Sequence, residues 1–597
     1  MTPRPSISAR FDDSRPGHER SFRLTGPVGV IEARDLDEVE PALDLVEESA
    51  RRGRWAAGFV AYEAAPGLDP ALAVRGRDRG DPFAALPLLW FAIFEGREDV
   101  PPFEPVADDG PATDDVAWTA SIDRARYDAS VAAIRERIAA GDTYQVNYTF
   151  RLRAQLNGDE PDLYRDLCMA QRGGYAAHLS GGPFGVLSAS PELFFRIDGE
   201  RITTRPMKGT APRGRWPEED EENAARLASS TKDRAENAMV VDLLRSDLGR
   251  ISVPGTVRAN RLFEAERYET VWQLTSTVRS TLRPGVSLAD AFRALFPSGS
   301  VTGAPKVSTM RLIAGLEDAP RGPYCGAIGY LAPPGSGESR ANFNVAIRTM
   351  VHDRQTGLAE FGVGGGITYD SSAAGEFDEA VAKARVLTSR RPRFELFETL
   401  RHQPASGFRH LPEHLARLDA SARYFGFAFV PADAEAALEK AVAELGGVEG
   451  RVRLVLARDG SVRIDLLESR PVSRGPVRVA IHPRAVDPSD VWLYHKTTLR
   501  GPYEDRRDDR PDVDDVVLVN DRGEVTESTI ANVAVKLAGE WFTPPLGSGL
   551  LPGTYRAVLL REGRVRERPI RVEELGDAGG LALVSSVRGW RPAVLVP

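Results

Sequence analysis

The sequence predicts a chain of mixed helices and strands, divided into a large domain of about 370 residues and a smaller one of about 200. Three observations support this. At 597 residues the chain exceeds what one hydrophobic core can fill. Apolar periodicity switches from helical to alternating within single stretches. Between 388 and 393 the charged segment TSRRPR, broken by Pro392, separates an amphipathic helix from a new strand.

Residues 1–20 carry Arg and Ser but also Asp12, Asp13 and Glu19, with no apolar run. They are expected to be unstructured, with neither a secretory signal nor a transit peptide. The run LPLLWFAIF (86–94) is too short to span a bilayer. A Pro-, Asp- and Glu-rich stretch at about 97–115 reads as an excursion or linker. YDASVAAIRERIAAGD (127–142) places Val131, Ile134 and Ile138 at helical spacing, and TYQVNYTFRL then alternates as a strand. STKDRAENAMVVDLLRSDLGR (230–250) and EFDEAVAKARVL (376–387) read as helices, and FELFETLR (394–401) as the first strand of the second domain. The resulting partition is a disordered 1–20, a domain over 21–390 with its N-terminal region at 21–120, and a domain over 394–597.

A net charge of −9 argues against a nucleic-acid binder. With no membrane span, a soluble cytoplasmic protein is expected. Two cysteines, Cys168 and Cys325, make neither a disulfide framework nor a thiolate metal site. Neither lies in the Gly-x-Cys-x-Gly elbow that a class I glutamine amidotransferase requires.

Of 77 lysines and arginines only seven are lysine. Arginine stays protonated, whereas a lysine amine can be desolvated and used as a nucleophile. Lys208 in TTRPMKGTAP is therefore a candidate nucleophile. Asp233 and Glu236 share one helix face, and Glu376 and Glu379 share another, with Lys383 one turn further on. A hard cation such as Mg²⁺ would bring such pairs together; spacing alone leaves a solvated face open. FGVGGGITYDSS (361–372) reads as three glycines after an apolar strand, baring backbone amides to which an anion could come close, with a tight turn as the plainer alternative.

SASPELFF (188–195), RPMKGT (205–210), KDRAENAMVVDLLRSDLGR (232–250), FPSGSVTGAPK (296–306), CGAIGY (325–330), FNVAIRTM (343–350) and GGGITYDSSAAGEFDEAVAK (364–383) together resemble the chorismate-utilising enzymes. The resemblance implies Mg²⁺ on Glu236, Glu376 and Glu379, with Asp233 close by. It implies that Arg348, Tyr330 and the amides of Gly364, Gly365 and Gly366 hold the substrate carboxylates, and that Thr210, Thr302 and Lys383 line the pocket. Anthranilate synthases carry alanine where this chain has Lys208; aminodeoxychorismate synthases carry the lysine, whose amine attacks C2 and expels the C4 hydroxyl before ammonia enters at C4. Glu192 matches the family's general acid and base, a role that needs a raised pKa. Gln273 departs from the histidine of many relatives, anthranilate synthases especially.

FRHLPEHLARLDASARYFGF (408–427), WLYHKTTLRGPY (492–503), LVNDRGEVTESTIANVAV (518–535), GLLPGTYRAVLL (549–560) and LVSSVRGWRPAV (583–594) resemble the fold-type IV pyridoxal-phosphate enzymes. This implies Lys496 as the Schiff-base lysine and Glu527 facing the pyridine nitrogen. Arg417, Gly553, Thr554 and Ser586 would hold the phosphate, and Arg588 the ring carboxylate of a substrate. His495 beside Lys496 is structural or catalytic.

Together the resemblances imply an α+β chain: a two-sheet, helix-flanked chorismate domain, then a two-subdomain pyridoxal-phosphate domain. The expected function is synthesis of 4-amino-4-deoxychorismate from chorismate and ammonia, then loss of pyruvate to give 4-aminobenzoate for folate biosynthesis. A separate glutaminase subunit would supply the ammonia, and a homodimer is expected. The rival readings are an anthranilate synthase large subunit with an appended aminotransferase, and a synthase whose second domain is a non-catalytic docking scaffold.

Overall fold

The computed structural model describes residues 7–78, 80–104, 116–156, 159–387, 392–444, 448–467 and 475–597. They fall into two compact units, Met1–Pro212 with Asn223–Pro392, and Arg213–Glu222 with Arg393–Pro597.

In the first unit 18 strands join in one hydrogen-bonded network with two arms. One arm runs from Arg20–Ala33 through Leu89–Asp99, Trp55–Val60, Ala327–Leu331 and Ala341–Val345 to Leu193–Asp198, Arg201–Arg205 and Val271–Thr281. The other runs from Tyr175–Gly181 through Phe184–Ser190, Thr349–Asp353 and Leu358–Ile367 to Gln145–Gln155. Ser8–Asp13 joins the arms, pairing with Arg20–Ala33 on one side and Tyr175–Gly181 on the other.

This strand corrects the expectation of an unstructured 1–20. Ala9 and Phe11 are buried, and the Asp12 carboxylate accepts from Arg10 at 2.8 Å and from the Tyr164 hydroxyl at 2.8 Å. Charges that resemble a solvated tail are satisfied inside the protein. Residues 1–6 lie outside the described residues, as do 105–115 of the expected linker and 388–391 of the expected domain boundary.

The two acidic helices are capped by serines. The Ser230 hydroxyl accepts from the Asp233 amide and opens Thr231–Gly249; the Ser372 hydroxyl accepts from the Gly375 amide and opens Ala373–Ala384. The first buries Asn237, Val240, Val241, Leu244 and Leu248 on one side, so Asp233 and Glu236 stand at its margin. The expected helix at 127–142 occupies Arg124–Ala139, opened by Asp123.

In the second unit, Leu396–Gln403, Gly407–Phe408, Gly450–Leu456 and Val462–Leu467 form a four-stranded antiparallel sheet. Helices Leu411–Phe425 and Pro431–Glu444 bury Leu418, Ala422, Phe425 and Leu438 against its Leu396, Leu400, Val452 and Leu454. Eight further strands form a second sheet, in which Val477–Ile481 lies parallel to both Asp515–Val519 and Gly589–Leu595. Lys496 lies on the segment that joins Val477–Ile481 to Asp515–Val519, two strands of the second sheet, and is pinned to the first sheet where the Phe397 amide donates to its carbonyl at 3.0 Å. Among the described residues no helix is long and apolar enough to cross a membrane.

Candidate active sites

Lys208 lies on the strand Met207–Pro212. The Asn237 side-chain amide donates to the carbonyls of Lys208 at 3.2 Å and Leu274 at 3.0 Å, while its oxygen accepts from the Ser276 hydroxyl at 2.6 Å. Both side-chain polar atoms of this buried asparagine are thus engaged, and one of their bonds ties the lysine's backbone to the helix. The amine points at the glycines: a β-carbon built on Gly366 would lie 2.3 Å from Lys208 Nζ and 2.5 Å from Gln145 Nε2. Lys208 Nζ is 3.5 Å from Glu236 Oε2. Lys383 Nζ donates to the Gly364 carbonyl at 2.8 Å and pairs with Glu379 at 2.9 Å, and Glu376 Oε2 would stand 3.1 Å from a β-carbon on Gly365.

The triple glycine does not follow a strand, as its sequence suggests, but lies within Leu358–Ile367, where Gly364, Gly365 and Gly366 pair with Thr149, Tyr148 and Asn147. Its main contribution is room. A side chain at 366 would occupy the place of the Lys208 amine.

Burial, with Glu379 nearby, pushes the Glu376 carboxyl up, against the pull of Ser371, Lys208 and Lys383. Lys383 holds Glu379 down, and burial lowers the Lys383 ammonium. Arg348, at φ 53° and donating to the Lys383 carbonyl, is lowered to about 10 by burial. Glu192 is 3% exposed and accepts from the Ser300 hydroxyl at 2.7 Å. Burial pushes it to about 7, opposed by that hydrogen bond, the Met207 amide and the charge of Lys208.

Asp233 reaches the same strand, with Oδ1 3.1 Å from a β-carbon built on Gly209. Thr210 is exposed and its hydroxyl donates to Gln273 Oε1 at 3.2 Å. Thr302 is fully buried, with its hydroxyl given to the Ser298 carbonyl at 3.0 Å.

The structure does not bring Tyr330 to this cluster. On Ala327–Leu331 its ring faces the opposite way, 5.0 Å from Phe11 and 5.3 Å from Phe22, beside a separate cavity of about 180 Å³. Tyr324, which sequence reasoning passed over, lies under the glycine strand, 2.2 Å from a β-carbon built on Gly362, and feels the Arg348 charge.

Among the described residues no three acidic, His or Cys side chains stand close enough to hold a metal ion. Carboxylate oxygens are nevertheless the donors that Mg²⁺ prefers, and Lys208 exerts its field on both Glu376 and Glu379.

A second site occupies a cavity of about 460 Å³ lined by Arg417, Lys496, Glu527, Thr554, Ser586 and Arg588. Lys496 Nζ stands 4.6 Å over the Phe397 ring, and burial, reinforced by Arg417, lowers it to about 7. Glu527 accepts from the Tyr503 hydroxyl at 3.0 Å, the Leu551 amide at 3.2 Å and Asn532 Nδ2 at 3.2 Å; burial pushes it to about 7. Gly553 opens helix Thr554–Arg561, and a β-carbon there would lie 1.8 Å from Asn532 Oδ1. Arg417 donates to both oxygens of Glu398, at 2.8 and 2.6 Å, and Ser586 Oγ is 2.8 Å from His414 Nε2. Glu398, His414, Tyr503 and Asn532 were not found from the sequence, since none lies at a diagnostic spacing. His495 Nδ1 bonds Ser421 at 2.9 Å, its ring packs on Tyr424 and Phe425, and burial lowers it to about 3.

Residues 10–389 match the family described as chorismate binding enzyme. The chain belongs to the chorismate-binding enzymes. Residues 395–596 match amino-transferase class IV, so this chorismate-binding enzyme carries a fold-type IV domain after its first. It is 43% identical over 271 residues to anthranilate synthase component 1 of Streptomyces coelicolor, covering 45% of this chain and 52% of that one. It is 43% identical over 294 residues to an aminodeoxychorismate synthase of Streptomyces griseus, covering 49% and 39% respectively. The chain thus spans about half the length of these curated relatives or less. The crystal structure of anthranilate synthase component I from Streptococcus pneumoniae superposes with a TM-score of 0.52 at 26% identity, covering 65% of this chain and 93% of that one.

Proposed function

We propose that the first unit converts chorismate and ammonia to 4-amino-4-deoxychorismate, and that the second eliminates pyruvate from that product to give 4-aminobenzoate. The relatives' names divide between anthranilate and aminodeoxychorismate synthases, so the decision rests on the site. The observation that carries it is the Lys208 amine, directed at Gly366 and set between Glu236 and the field of Glu192.

In this reading Arg348 and the glycine strand hold the substrate carboxylates. The Lys208 amine adds at ring C2, and Glu192, pushed up to about 7 by burial, gives its proton to the departing C4 hydroxyl, which leaves as water. Ammonia then adds at C4 and the lysine amine leaves C2, which splits one hard displacement into two easier ones. Gln273 bonds Thr210 and cannot titrate, which disfavours a proton-transfer role there. Glu236, Glu376 and Glu379, with Asp233 nearby, would hold Mg²⁺, which neutralises substrate charge when bound.

In the second unit Arg417, Gly553, Thr554 and Ser586 would hold the phosphate of pyridoxal phosphate, Glu527 the pyridine nitrogen, and Lys496 the aldehyde carbon. The cofactor supplies an electron sink when bound. Lys496, at about 7, can take and return a proton at the substrate, and Arg588 would bind the ring carboxylate. The two units have complementary chemistry: the product of one is the substrate of the other. Both thiols are buried, with Cys325 pushed up to about 11 by burial, so neither serves as a glutaminase nucleophile; a separate subunit would supply ammonia.

Product analysis with chorismate, Mg²⁺ and ammonium tests this reading. Without pyridoxal phosphate the 4-amino intermediate should build up, and with it 4-aminobenzoate should appear. Formation of anthranilate would refute it.

A further inference from the structure

Behind the proposed phosphate groups of the second cavity lies a buried imidazole that the proposed chemistry does not use. It belongs to His414, 1% exposed, on helix Leu411–Phe425. Nδ1 lies 2.6 Å from Glu398 Oε2, and Nε2 lies 2.8 Å from Ser586 Oγ and 3.4 Å from Thr554 Oγ1. Despite its burial Glu398 is held down at about 2 by Arg417 and His414. It is a carboxylate and can only accept, so the His414 proton in that bond sits on Nδ1.

The direction of the next bond follows from this. In a neutral imidazole Nε2 is then an acceptor, and Ser586 must donate to it. Its lone pairs, not its hydrogen, face the cavity, where they would repel an anion. In an imidazolium Nε2 donates to Ser586 Oγ, and the serine O–H is free to turn outward. Charge counting agrees. With His414 neutral, Glu398 cancels Arg417, and protonation of His414 would add a positive charge to those of Lys496 and Arg588 lining the same cavity. The other charged groups around the imidazole are His410 and Glu413 on the same helix, Arg561, which pairs with Glu413 at 2.7 Å, and Arg588 lining the cavity.

We propose that His414 is a positioning residue that takes up a proton when a phosphate ester binds, and thereby turns Ser586 from a donor to the imidazole into a donor to the phosphate. The inference rests on reading this cavity as the pyridoxal-phosphate site. Binding and protonation are then one event, and affinity for the phosphate ester falls as pH rises above the imidazole range.

The test uses the full chain and pyridoxamine phosphate, which has the phosphate but no aldehyde to react with Lys496. Titration calorimetry at about pH 8, above the ordinary imidazole range near 6.5, in buffers of different ionisation enthalpy, counts the protons taken up. Wild type should take up close to one proton more per ligand than His414→Gln, and should lose affinity more steeply as pH rises, by up to about tenfold more per pH unit. Equal proton counts in the two proteins would overturn the inference while leaving the cofactor reading intact. No binding by wild type would overturn both. If the variant alone fails to bind, the wild-type His414 ring carbon shifts decide, with the variant locating the resonance: a change from imidazole to imidazolium on ligand addition supports the proposal, and an unchanged imidazole sinks it.

Discussion

Glu192 carries out its proposed task because it is buried with one hydroxyl partner and no cation in contact. Glu192→Gln keeps the Ser300 contact but has no proton to give, so the synthase rate should fall by about 10²–10⁴-fold, the usual contribution of a general acid, with activity on supplied aminodeoxychorismate unchanged. Synthase kcat/KM should decline as pH rises through about 7, where Glu192 ionises. The stability consequence has the same sign. A carboxyl raised in the folded state favours folding when protonated, and that contribution, complete below the ordinary carboxylate range, is lost as pH rises through about 7. Melting temperatures measured across that range should therefore fall less steeply in Glu192→Gln. Tyr330 makes the opposite case: packed between Phe11 and Phe22 and away from the cluster, it can lose its hydroxyl in Tyr330→Phe with the chorismate KM unchanged.

The glycine strand shows what could be read from sequence at the level of the element and what could not. Helical spacing put Glu236 on one helix and Glu376, Glu379 and Lys383 on another and left a solvated face open for each; it was the order of the motifs, through the family resemblance, that grouped them with Lys208. The strand was not legible, since three glycines carry no side-chain alternation and read equally well as a turn. The two tyrosines of PYCGAIGY are six residues apart, but only Tyr330 lies in the strand Ala327–Leu331 while Tyr324 precedes it in a turn, a boundary that the residue pattern does not mark. Ser8–Asp13 escaped notice because its aspartates are paired inside the protein, with partners as remote as Tyr164. Gly366→Ala would force a carbon to within 2.3 Å of the Lys208 amine. A displacement near 1 Å at a reacting group costs about 10²-fold, so the variant should lose at least that much synthase activity while unfolding near the wild-type temperature.

At the scale of the whole molecule the two chemistries are separable. Lys496→Ala should release 4-amino-4-deoxychorismate and no 4-aminobenzoate, as chromatography of the products would show; an undiminished 4-aminobenzoate rate would refute the lyase assignment. The two-domain plan was legible in the sequence from the break near Pro392, but the assignment of Arg213–Glu222 to the second unit was not, because membership of a compact unit depends on contacts that no local pattern encodes. The central claim, that Lys208 bonds to the substrate ring, is tested most directly by peptide mass analysis of protein incubated with chorismate and Mg²⁺ without ammonia. The account predicts an adduct of chorismate less one water on the peptide containing Lys208. An unmodified peptide, from protein that makes the 4-amino product once ammonium is added, would contradict it.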